Sequence, residues 1–181
     1  YFYQRKGLYS EERLLVDSAI NTLQPVVEAG NAPLTGLLSR LLTLQAWGYL
    51  SLAKFEDGMK TAEQACDLAQ NVKDAGIEAQ ARIAIAKLLY RDHAKALSQY
   101  EKVVTLAKIA EDPFLEVDGL REIGKHLSWQ GKHEQARESL EQALDLCQSL
   151  PYKSGELDIL INLAAVAMHQ GNHAESMAIE E

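Results

Sequence analysis

The chain has 181 residues, with 18 Lys and Arg against 26 Asp and Glu, for a net charge of −8. That length fits one ordinary domain or one repeat array. The acidic balance excludes nucleic acid and anionic membranes as main partners, because both are recognised by basic surfaces. Four prolines and 11 glycines are too few for a disordered chain, and no apolar run approaches the roughly 20 residues a membrane helix needs.

The chain opens at Tyr1 without a methionine or a signal peptide and ends at Glu181 inside a helical pattern. It therefore reads as a piece of a longer polypeptide. Cys66 and Cys147 both fall in amphipathic patterns and are expected to be small buried hydrophobes in a reducing, cytoplasmic compartment.

In chain order, residues 1–30 read as a partial first repeat: Ser10 to Ala29 is the second helix of a hairpin and Tyr1 to Leu8 the remnant of its partner. A repeat over 33–72 follows, with helices near 34–52 and 55–72. The next covers 75–110, with helices near 76–90 and 93–110. Another covers 114–150, with helices near 114–129 and 133–149, and a truncated one covers 154–181, with helices near 155–169 and 173–181. The helices rest on apolar residues at i, i+3, i+4, i+7, such as Leu120, Ile123, Gly124, Leu127 and Ala136, Leu140, Ala143, Leu144, Cys147. Asp74-Ala-Gly76, Asp112-Pro113 and Pro151-Tyr-Lys-Ser-Gly155 break the pattern between units, and Pro113 and Pro151 suit helix starts.

Self-similarity ties these pieces together. Small residues Ala46, Ala84, Gly124 and Ala164 are each followed twelve residues later by another small one, Gly58, Ala96, Ala136 and Ser176. The second set recurs at steps of 38, 40 and 40 residues. A turn lies midway, clearest in Gly131-Lys-His-Glu-Gln-Ala136 and Gly171-Asn-His-Ala-Glu-Ser176, weaker in Ala53-Lys-Phe-Glu-Asp-Gly58 and Arg91-Asp-His-Ala-Lys-Ala96. Small residues are needed where two antiparallel helices joined by a short turn approach closely. The expected fold is all-α, a right-handed superhelical stack of helical hairpins whose first helices line a concave face.

A small residue, an aromatic, a turn glycine and further alanines at this spacing resemble the tetratricopeptide repeat (TPR) motif, lengthened to about 40 residues. Such long repeats resemble those of bacterial STAND signal-transduction ATPases (MalT-like, LuxR- or AfsR-type regulators). The opening Tyr1-Phe-Tyr-Gln-Arg-Lys-Gly-Leu-Tyr-Ser-Glu-Glu-Arg13 resembles the first unit after the ATPase and winged-helix modules of that class. The resemblance implies a non-catalytic sensor without cofactors. It would bind a protein, a peptide or a small-molecule inducer, and contact an ATPase module outside this chain. The alternative is a generic scaffold for complex assembly. The units depart from the motif: the aromatic column reads Tyr49, then Lys87, Leu127 and Ala167, and Arg91 replaces a turn glycine.

Two motifs suggest chemistry. Gly119-Leu-Arg-Glu-Ile-Gly124-Lys125-His126 nearly spells a phosphate-binding loop, but His126 stands where Ser or Thr should hold Mg²⁺, and the segment continues a helix. His93, His133 and His173 recur at 40-residue steps. Columns about 10 Å apart cannot share an ion that needs nitrogens within about 2.1 Å, so these histidines are expected to replace the aromatic Phe55 at the second helix start.

The first helices carry the expected partner-binding face: Arg40, Thr43, Trp47 and Ser51; Glu78, Ala81, Ile85 and Leu89; Asp118, Arg121, Lys125 and Trp129; Asp158, Ile161, Ala165 and His169. Both tryptophans fall on it, and Trp and Arg dominate binding energies most often. The asparagines and repeated basic residues of a carboxylate clamp are missing, which disfavours a chaperone-tail partner. The apolar admixture suits an amphipathic helix or an extended peptide.

Overall fold

The structure is a computed structural model that describes residues 2–172 and 176, with side-chain surroundings from residue 12 onward. Among the described residues every regular element is helical: α1 (Phe2–Glu28), a short 3₁₀ turn (Ala32–Leu34), α2 (Thr35–Ser51), α3 (Phe55–Val72), α4 (Ala75–Leu88), α5 (His93–Ile109), α6 (Pro113–Trp129), α7 (His133–Gln148) and α8 (Lys153–His169). The expected last helix at 173–181, with His173, lies outside the described residues apart from Ser176. The chain forms two compact units, Tyr1–Leu88 and Leu89–Glu181, which divide inside the segment 75–110 read as one repeat.

The opening differs from the expected hairpin remnant. Residues 2–28 make one continuous helix rather than two pieces meeting near Tyr9. A lone Gly7 costs a helix only about 1 kcal/mol, and no Pro or paired turn residues stand near Tyr9. Pro25 falls in the last turn of α1 and forfeits the one backbone bond its missing N–H would have made to Asn21.

The turns obey one rule. After α2, the Lys54 N–H donates to the Tyr49 carbonyl at 2.9 Å; after α6, Lys132 bonds Leu127 at 3.0 Å; after α8, Asn172 bonds Ala167 at 2.9 Å. Each is the six-residue closure of a helix whose next residue is left-handed. Gly131 and Gly171 hold φ of 75° and 77°, but Ala53 adopts 56° with a Cβ. That conformation costs an L-residue about 1–2 kcal/mol. Ala53→Gly is therefore expected to raise unfolding free energy by about 1 kcal/mol, read as a higher denaturant midpoint with unchanged slope.

The small-residue columns are buried throughout. Ala46, Ala84 and Ala164 are at most 3% exposed, Ala96 and Ala136 are fully covered, and Ser176 is 4% exposed. Gly124 shows why. A Cβ there would fall 2.5 Å from Leu140 Cγ and 3.0 Å from the Ala136 carbonyl. In the second unit Val117, Leu127, Leu140, Ala143, Cys147, Ile159 and Leu163 form one apolar cluster between α6, α7 and α8. In the first unit Leu38, Leu42, Ala62, Ala65 and Ile77 are buried, and the Ser39 hydroxyl donates to the Ala65 carbonyl at 2.7 Å to join α2 to α3.

Candidate partner-binding surface

The candidate residues separate into buried and open ones. In the first unit Thr43 is 5% exposed, with its hydroxyl bonded to the Ser39 carbonyl at 3.0 Å. Ala81 and Ile85 are 0% and 8% exposed. These three are core residues, a correction to the expected face: their helices are apolar on several sides, and spacing alone does not say which side meets solvent. Arg40 and Ser51 are exposed and Trp47 is half-buried. Glu78 is half-buried and committed to its own unit, accepting from Arg82 at 2.6 Å and from Gln70 at 2.9 Å. Leu89, the first residue of the second unit, is half-buried.

In the second unit the face is more open. Trp129, at the end of α6, is 56% exposed and so is not a core residue. Its ring lies 5.1 Å from His93 and 5.0 Å from His126, and the Lys125 ammonium sits 5.1 Å from its centroid. His93 opens α5, and its Nδ1 is 3.3 Å from Nδ1 of the buried His126. His133 opens α7 and stacks on His169, centroids 5.6 Å apart. Both therefore stand where Phe55 stands in α3, at the start of a second helix. Among the described residues no group of three or more His, Cys, Asp or Glu is arranged to hold a metal.

Arg121 and Lys125, read from sequence as the basic part of the face, are already engaged. Arg121 meets Asp158 at 2.6 Å, Glu122 at 3.4 Å and Asp118 at 3.5 Å, and Lys125 meets Glu122 at 2.9 Å. The carboxylates of Asp118, Glu122 and Asp158 thus hold both cations. The Tyr152 hydroxyl donates to Asp118 at 3.0 Å. Burial, then the Asp118 charge, pushes its ionisation above the usual phenol range. Glu122, only 5% exposed, is the member that spacing did not single out. Its position beside Leu120 and Ile123 on α6 was the available signal, a carboxylate with apolar neighbours along a packed helix. Burial, then the Glu122 charge, likewise holds the Tyr100 phenol up.

The remaining motifs are structural. Gly119 to His126 lies wholly inside α6, so it makes no loop to cradle phosphate. Cys66 and Cys147 are buried thiols. Burial raises the Cys147 thiol above its usual range, and its Sγ donates to the Tyr152 carbonyl at 3.3 Å. No described helix is long and apolar enough to cross a membrane.

Helical hairpins closed by left-handed turns, with small residues at the crossing, define an all-α fold of the TPR-like solenoid class. The tetratricopeptide repeat family model matches residues 117–181. The fold is similar over 97% of the chain to BtubC (BKLC) from P. vanneervenii, with TM-score 0.82 and 17% identity, covering 72% of that chain. It is similar over 99% to the apo form of RapI, with TM-score 0.78 and 18% identity, covering 66% of that chain. It is also similar over 99% to a Rap protein complexed with competence and sporulation factor, with TM-score 0.71 and 18% identity, covering 51%. The chain thus spans about two thirds and about half of the two Rap structures. No curated protein matches the sequence.

Proposed function

We propose that this chain is a non-catalytic binding domain that holds a protein or peptide on the first-helix faces of its hairpins, within a larger bacterial signalling or transcription-regulatory protein. The observation that carries the reading is Trp129. A large aromatic that is 56% exposed, braced by two imidazoles and an ammonium, has the form of an interface anchor. A similar fold solved in complex with competence and sporulation factor supports a ligand-holding use of such a stack. The STAND-type context rests on the resemblance of the opening segment, and a full-length gene without a nucleotide-binding module would remove it.

The test is an array of 15-residue synthetic peptides probed with the purified chain. Wild type is expected to retain a subset, and Trp129→Ala to weaken each retained peptide by more than about 1 kcal/mol, roughly fivefold, with unchanged helical circular dichroism. No retained peptide, or affinities indifferent to Trp129, would overturn the reading.

A further inference from the structure

His93 and His126 stand 33 residues apart on different helices, so they are not column mates and the distance between repeats does not separate them. The Asp92 side chain caps α5 by accepting from the Lys95 N–H, which fixes where His93 begins the helix. Packing of α5 on α6 then brings its Nδ1 to 3.3 Å from Nδ1 of His126. That is longer than the about 2.7–3.2 Å usual for a hydrogen bond from nitrogen. It is close to the about 3.4 Å between two nitrogens that lie about 2.1 Å from one tetrahedral ion. The rings agree. A ring nitrogen lies about 1.1 Å from the imidazole centre, so a straight N–H···N bond of this length would set the centroids about 5.6 Å apart. Two imidazoles on one tetrahedral ion would set them about 5.3 Å apart. They are 5.3 Å apart and inclined at 60°, so the imidazoles are bent off the line joining their nitrogens, as two ligands of one ion are.

We infer that the Nδ1 atoms of His93 and His126 form a site for a divalent transition metal, with Zn²⁺ the ion that fits best. Imidazole suits Zn²⁺, Cu²⁺ and Ni²⁺, and the separation of the nitrogens matches the tetrahedral shell that Zn²⁺ prefers. Both rings then carry their proton on Nε2 and turn a lone pair to the ion. The site is held before an ion arrives. His126 is 5% exposed, and the rings of Tyr100 and Trp129 lie 5.5 Å and 5.0 Å from it, so packing sets its rotamer. Lys125, which lies over the Trp129 ring, is held by Glu122 at 2.9 Å. The pair is smaller than the three-residue groups missing among the described residues. An ion on two protein ligands keeps positions open for water or for a donor from a partner, and it would pin the start of α5 to α6.

The test uses the metal-free chain without a histidine tag, titrated with ZnCl₂ in a calorimeter at neutral pH. His93→Phe is the main variant, because Phe55 already stands at that place in α3. It should remove one equivalent of bound Zn²⁺ or weaken it at least about tenfold, with an unchanged melting temperature in the absence of metal. His126→Gln should do the same wherever its melt shows it folded, and His133→Phe should shift the affinity less than about twofold. Trp129 is a built-in reporter, since its ring lies 5.1 Å and 5.0 Å from the two imidazoles. In a Trp47→Phe background, Ni²⁺, an open-shell ion that imidazole also binds, should quench Trp129 emission, and His93→Phe should remove the quenching. Zinc binding indifferent to His93→Phe, an equal loss in His133→Phe, or Trp129 emission unmoved by Ni²⁺ would overturn the inference. The peptide reading stands or falls separately, on the array probed without metal.

Discussion

Gly124→Leu is expected to destabilise the second unit by about 3 kcal/mol or more, the upper range for overpacking a close helix crossing. The added side chain would begin 2.5 Å from Leu140 Cγ and 3.0 Å from the Ala136 carbonyl. Leu140 is fully buried and could yield by changing rotamer, but the backbone oxygen cannot move without separating α6 from α7. Domains have only about 5–15 kcal/mol in hand, so the variant should melt far below wild type. Leu140→Ala alone should also cost about 2–5 kcal/mol, by opening a cavity. Combining the two should cost clearly less than their sum, because each supplies the volume the other lacks. Denaturant titration of the four proteins checks this, and strict additivity would mean that Gly124 and Leu140 do not share the crossing.

Arg121→Met is expected to cost about 2–3 kcal/mol. The guanidinium side chain is 17% exposed and stands among Asp158, Glu122 and Asp118. Methionine keeps much of the length and apolar contact but removes the guanidinium from among three carboxylates, while Lys125 stays beside Glu122. Breaking a buried ionic cluster by removing one partner costs more than the cluster itself contributes, because the leftover charges remain desolvated. The figure lies below the full range for buried pairs because Asp158 is half in water, where screening weakens its share. A second change, Glu122→Gln, is expected to restore a larger part of the loss than Asp158→Asn, since Glu122 is the buried acid. Unfolding of these variants at low and high salt separates the two terms: added salt should relieve the Asp158 part and leave most of the Glu122 part. Equal rescue by both substitutions would contradict this division.

Much of the architecture was legible in the residues because its causes are local. The 40-residue spacing of small residues, the glycines at 131 and 171, the N-terminal Pro113 and the amphipathic stripes each act within a turn or two of helix. The observed α2, α3 and α5 to α8 begin and end within two residues of their expected limits. The break expected between Leu8 and Ser10 does not occur, because helix continuation depends on cooperative bonding across the whole segment.

The face of each helix was decided only in three dimensions. Nothing in the spacing of Thr43, Ala81 and Ile85 distinguishes the side that meets a neighbouring helix from the side that meets water, and all three are buried. Arg121 and Lys125 read as available positive charge until Asp118, Glu122 and Asp158, brought alongside from α6 and α8, neutralised them. Periodicity along one helix reports that an apolar side exists. Which polar groups remain open to a partner depends on contacts between residues about 37 apart, such as Arg121 with Asp158, and those contacts exist only once the hairpins are stacked.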